Sequence, residues 1–138
     1  MTYVASTLTL THSGVMAMLH AAVAKAEEMG QPQCIVIVDA SGETLGEIRM
    51  SGAKYLSRRS ARTKARTAAS IGAPSSTIPE AVRPAIAAAT QDAVTGLGGG
   101  LPIRVSGTLV GGIGVGSGSA DQDVEVAQAA LAAIGADL

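Results

Sequence analysis

The sequence predicts an α+β domain in which helices cover an antiparallel sheet, and three observations carry that prediction. Two stretches, CIVIVDASGETLGEIRM and LPIRVSGTLVGGIGVG, each read as two strands joined by a turn too short for parallel pairing. Segments with apolar residues at the helical period stand before, between and after these pairs. The chain has 138 residues, 47% hydrophobic and 15% charged, which suits one domain over 1–138 and excludes a disordered polypeptide.

The first helix is predicted within TLTLTHSGVMAMLHAAVAKAEEMG, with Thr9 as its N-cap and Val15, Leu19, Ala22, Val23 and Ala26 as its apolar stripe. Gly30 and Pro32 stop it. Strands follow over 34–38 and 44–50, with a turn at Ala40-Ser41-Gly42 that Asp39 precedes. A second helix is expected from about Tyr55 to Ile71, with Ala61, Ala65 and Ala68 inward and Arg58, Arg62 and Arg66 lining one face. Pro79 and Pro84 break the next piece into short helical turns. The second hairpin turns at Ser106-Gly107. The last helix opens on a capping box from Ser119 to Gln122, with Val124, Ala127, Leu131 and Ile134 inward. The N-terminal residues are a candidate for one more strand.

Composition narrows the function. A net charge of −1 gives the molecule no general attraction to nucleic acid, and no apolar run is long enough for a membrane span. The opening MTYVASTLTL lacks the features of a secretory leader, and a lone Cys34 excludes an intramolecular disulfide, so a cytoplasmic protein is expected. Cys34, within CIVIV, reads as a buried small hydrophobe. With two tyrosines and neither Phe nor Trp, the core consists of small aliphatics, and such a domain is expected to complete its burial as a homo-oligomer.

The stretch GGGLPIRVSGTLVGGIGVGSGSADQD poses the main question, because glycine loses more backbone freedom on ordering than any other residue. It is not a phosphate loop, since no Gly-Lys pair is present. Gly112-Ile113-Gly114 lies inside a strand and opens no helix, against a dinucleotide fingerprint. What remains is a strand stripped of side chains at Gly111, Gly112 and Gly114, against which a flat ligand, a substrate or a neighbouring subunit comes close.

The same residues carry a family resemblance. Gly-Gly-Leu-Pro-Ile, a short turn, Gly-Gly-Ile-Gly-Val and a loop into Gln-Asp resemble a small domain family, as do LTLTHSGVMAMLHAAVAKAEEMG, VDASGETL and KARTAAS in the same order. That family includes extracellular haem-binding proteins of actinomycetes, GlcG-like proteins, and the C-terminal domain of PduO-type corrinoid adenosyltransferases. The resemblance implies a profilin-like α-β-α sandwich, a homo-oligomer from tetramer to octamer, and haem or a related tetrapyrrole as ligand.

The candidate site residues follow. His12 and His20 are the only imidazoles and are candidates for a haem iron ligand; His20 borders the apolar stripe and reads as a packed histidine. Arg62 and Arg66, with Arg58 and Lys64 nearby, suit a carboxylate or a porphyrin propionate. Gly98, Gly99, Gly100, Gly112 and Gly114 are the positions where a ligand is expected to approach the backbone. Two readings stay open. One is a binding module for a tetrapyrrole held at the loop 96–101 and the first or second helix. The other is a cofactor-free isomerase, lyase or cyclase acting on a small carboxylated metabolite, with Asp123 or His12 moving a proton beside Lys64.

Overall fold

A computed structural model describes residues 2–138. Its elements are α1 (His12–Glu28), β1 (Cys34–Asp39), β2 (Thr44–Arg49), α2 (Ser57–Ile71), α3 (Arg83–Ala89), β3 (Gly100–Val105), β4 (Thr108–Gly116) and α4 (Ala120–Ala133), with two short 3-10 turns before α3. The strands form one antiparallel sheet in the order β2-β1-β4-β3. This is the expected profilin-like sandwich. α1 and α4 cover one face and α2 lies on the other.

Strand alternation divides the core between those faces. Ile35, Ile37, Ile113 and Val115 point to α1 and α4, where Met18, Ala22, Val126 and Leu131 meet them. Cys34, Val36 and Val38 point to α2, where Ala61, Ala65 and Ala69 meet them. Burial pushes the Cys34 thiol above its usual pKa, and the side chain is fully enclosed.

The glycine strand is explained by α2. A Cβ on Gly112 would overlap the Ala65 carbonyl, one on Gly114 would overlap the Ala61 carbonyl, and one on Gly116 would lie 3.2 Å from the Ser57 carbonyl. Each step of two residues along β4 thus matches a step of four along α2. The two advances are nearly equal, about 6.7 Å for two strand residues and about 6 Å for four helical residues. What comes close to the stripped strand is the chain's own helix backbone. Gly112 and Gly114 are therefore closed to any ligand, contrary to the sequence expectation.

Other expectations shift by a turn or a face. Thr11, not Thr9, is the N-cap of α1; its hydroxyl accepts from the Gly14 amide at 3.2 Å, which places His12 at the first helical position. His20 is exposed, because Val15, Met18 and Ala22 form the inward stripe and residue 20 falls on the opposite side. In α4 the inner face runs through Asp123, Val126, Ala127, Ala130 and Leu131, while Val124 and Ile134 are half-buried. Asp123 rotates the helix this way, since its carboxylate is anchored in the interior. Residues 2–10 form no strand, although Leu10 packs on the core; Met1 lies outside the described residues. The Ser119 capping box and the Ser106-Gly107 turn stand where the sequence puts them.

Candidate functional site

Of the concavities beside α2, two hold its basic residues on opposite sides, and the helix periodicity sorts those residues between them. Arg58, Arg59, Arg62 and Arg66 are exposed on the outer side, whereas Lys64 is turned into the protein and is 5% exposed. The basic cluster of the sequence is therefore two different structures.

The outer one is an open trough of about 600 Å³, lined by these four arginines and edged by the exposed Tyr55 and Leu56. Glu47 and Asp92 are its carboxylates, so four arginines face two acids, a surplus of two positive charges. Of the four arginines only Arg58 has an acidic partner among the described residues, Glu47 at 3.6 Å. The placement costs stability: Arg58 and Arg59 stand in the first turn of α2, which has no acidic residue and no side-chain cap, at the positive end of the helix dipole.

The inner concavity is a cleft of about 280 Å³ between the start of α2, the Leu97-Gly98 loop and the start of α4. Lys64 donates from Nζ to Asp123 Oδ2 at 3.0 Å and to the Val115 carbonyl at 2.8 Å. Asp123 Oδ1 accepts from the Gly118 amide at 3.1 Å. The pair ties α2, β4 and α4 together at one end of the sheet. Gly99 and Gly100 are the bed beneath it: a Cβ on Gly99 would lie 3.1 Å from Lys64 Nζ and 2.8 Å from Asp123 Cβ, and one on Gly100 would overlap the Lys64 carbonyl. Gly98 alone of the triple lines the cleft. Gln33, wholly buried, has no partner for either side-chain polar atom, and its Nε2 lies 2.8 Å from where a Gly118 Cβ would stand.

Lys64 and Asp123 are thus brought together, and His12 is not with them. Leu10 approaches Gly111, opposite Asp39, whereas the Lys64–Asp123 pair sits at the Cys34–Gly116 end of the sheet, so α1 carries His12 to the far edge. No proton relay joins the three. Among the described residues no three His, Cys, Asp or Glu stand close enough to hold a metal, and no helix is long and apolar enough to cross a membrane. The sequence reading missed Gln33, Lys54, Ser57, Ser60 and Ser117. Ser57 and Ser60 fall on the α2 turn that meets Gly116, a spacing visible in the sequence only once that pairing is known.

Helices on both faces of a four-stranded antiparallel sheet, with an arginine trough and a buried lysine–aspartate pair on either side of one helix, define a small three-layer α-β-α domain. The chain belongs to the family described as haem degrading protein HbpS-like, which matches residues 10–132. It is 35% identical over 92% of its length to the corrinoid adenosyltransferase PduO of Citrobacter freundii, of which it spans 39%. Among solved structures, a PduOC:heme complex superposes with a TM-score of 0.87 at 31% identity, covering 94% of this chain and 98% of the other. A double mutant of HbpS from Streptomyces reticuli superposes with a TM-score of 0.83 at 34% identity, covering 94% of this chain and 89% of the other.

Proposed function

We propose that this chain is a binding module for haem or a related tetrapyrrole, held in the arginine trough outside α2. The observation that carries the proposal is the charge of that trough: two surplus positive charges along the exposed side of α2, with Arg62 and Arg66 lacking carboxylate partners. A haem presents two propionates along one edge and broad apolar faces beyond. Arg62 and Arg66, one turn and about 6 Å apart along the axis, suit two carboxylates, since guanidinium binds such groups bidentately. Tyr55 and Leu56 offer the apolar edge, and the Tyr55 phenol is a type of oxygen that ligates haem iron. The match to a PduOC:heme complex over nearly the whole chain supports the same ligand class. His12 and His20 stand outside the trough lining, so the proposal moves the iron ligand away from both.

The trough is open, and the ring is completed by a second copy of the chain in the homo-oligomer we propose. Tyr3, Val4 and Leu8, 89%, 83% and 51% exposed, are the apolar surface such an assembly would cover. Haemin titration followed at the Soret band tests the reading. Wild-type protein is expected to shift the band at a fixed haem-to-chain ratio, and Arg62→Ala/Arg66→Ala to bind at least tenfold more weakly. That follows from losing two charged hydrogen bonds worth about 1.5–3 kcal/mol each. His12→Ala and His20→Ala should bind as wild type. An absent shift, or full affinity in the arginine variant, rejects the proposal.

A further inference from the structure

We infer that the inner cleft at Lys64 and Asp123 is a second binding site, separate from the trough, and that it takes the carboxylate of a small monocarboxylic acid. The lysine is the first reason. An ammonium has three donors, and Lys64 uses two, on Asp123 and the Val115 carbonyl, while the residue lines the cleft. The remaining N–H is directed by two fixed bonds and a side chain only 7% exposed, so it is preorganised for an acceptor.

Charge is the second reason. The lining carries Lys54 and Lys64 against Asp123, a surplus of one positive charge, which complements one carboxylate and distinguishes this site from the doubly positive trough. Ser57 and Ser60 add hydroxyl donors at the first turn of α2, on the same wall as Lys64. Ser60 otherwise makes only a 3.3 Å bond to the Ser57 carbonyl, and Ser57 Oγ makes none.

The third reason is a buried, unpartnered amide, Gln33, directly behind the Gly118 wall of the cleft. Gln33 Nε2, Gln122 Oε1 and Asp123 Oδ1 converge on the position of the missing Gly118 Cβ, at 2.8, 2.9 and 3.0 Å. Gly118 lines the cleft, and any side chain there would collide with all three. Gln33 is fully enclosed and both its amide atoms lack partners, an arrangement that costs about 1–3 kcal/mol per orphaned group unless something polar arrives. A concavity of about 280 Å³ lies at the small end of ligand sites, which begin near about 300 Å³, so it suits a small ligand. Short 2-oxo and 2-hydroxy acids meet that size, and their second oxygen has the Ser57 and Ser60 hydroxyls of the lining as partners.

Two-dimensional amide NMR with pyruvate and lactate as probes, and lactamide as the uncharged control, tests this. At 20 mM probe the Gly98, Ser117 and Gly118 amides should move with both acids, and at least fivefold less with lactamide. Lys54→Ala/Ser60→Ala, which leaves the buried pair intact, should weaken acid binding at least tenfold. Lys64→Met/Asp123→Leu, which keeps the interior apolar and paired in volume, should abolish it. Arg62→Ala/Arg66→Ala should bind the acids as wild type does, whatever becomes of haem. Absence of shifts at the three amides with both acids overturns the inference. So does retained affinity in Lys54→Ala/Ser60→Ala, or loss of acid binding in the arginine variant.

Discussion

Gly114→Ala is the sharpest perturbation of this fold, because a single methyl group meets helix backbone and not a side chain that can turn aside. The added carbon would overlap the Ala61 carbonyl and stand 2.6 Å from the Ala65 nitrogen. Restoring an ordinary contact of about 3.4 Å requires α2 to retreat by about 0.8 Å to clear the Ala65 nitrogen and by more to clear the Ala61 carbonyl, in a core too densely packed to yield cheaply. Overpacking of this kind costs about 1–3 kcal/mol. The same retreat draws Lys64 from Asp123 and the Val115 carbonyl, now 3.0 and 2.8 Å away, and adds about 1 kcal/mol or more. A total of about 2–4 kcal/mol lowers the melting temperature of a chain this size by roughly 6–15 °C. Calorimetry or thermal circular dichroism reads it. Gly107→Ala is the control: a Cβ there meets nothing within 4 Å, and only its φ of +80° opposes the change, so about 1–2 kcal/mol is lost. Trimming Ala61 or Ala65 to glycine in the Gly114→Ala background gives no rescue, since the obstruction is backbone. A Gly114→Ala protein melting within 3 °C of wild type, or rescued by Ala61→Gly, refutes the seating of α2 on the glycine strand.

Other outcomes follow from the same packing. Lys64→Met alone strands the Asp123 carboxylate, 2% exposed, and should cost about 3–5 kcal/mol, whereas Lys64→Met/Asp123→Leu should recover most of it in urea unfolding. Cys34 should resist a thiol reagent at pH 8 in the native state and react once urea unfolds the chain. Because burial raises the folded-state pKa of that thiol, the folded protein holds the proton longer than the unfolded chain. Stability should therefore fall as pH climbs past the unfolded thiol's pKa, and Cys34→Ala should flatten that alkaline loss in pH-dependent unfolding. Ser119→Ala, which removes the hydroxyl accepting from the Gln122 amide, should cost about 1 kcal/mol by the same unfolding measurement.

The elements were legible because their signals are local. Gly72 and Pro74 end α2, Ser119 and Gln122 begin α4, and Ser106-Gly107 takes the positive φ values of a tight hairpin turn. The glycine strand was recognisable as a strand, but its neighbour was not. Naming α2 requires pairing Ser57, Ala61, Ala65 and Ala69 with Gly112, Gly114 and Gly116, and neither series points to the other without the fold. The same gap hid the division of the basic cluster. Helical spacing puts Arg58, Arg62 and Arg66 together, yet only the strand beneath α2 decides that Lys64 points inward to an aspartate 59 residues away. His20 failed for the converse reason: its neighbours are apolar in sequence, and Met18 rather than Leu19 sets the inner face of α1.

The location of bound iron tests the central functional claim most directly. Crystals of the protein grown with haemin, measured at the iron absorption edge, give an anomalous peak at the metal. The account predicts that peak over the outer side of α2, beside Tyr55, with the propionates at Arg62 and Arg66. A peak beside His12 or His20, or within the Lys64–Asp123 cleft, would contradict it.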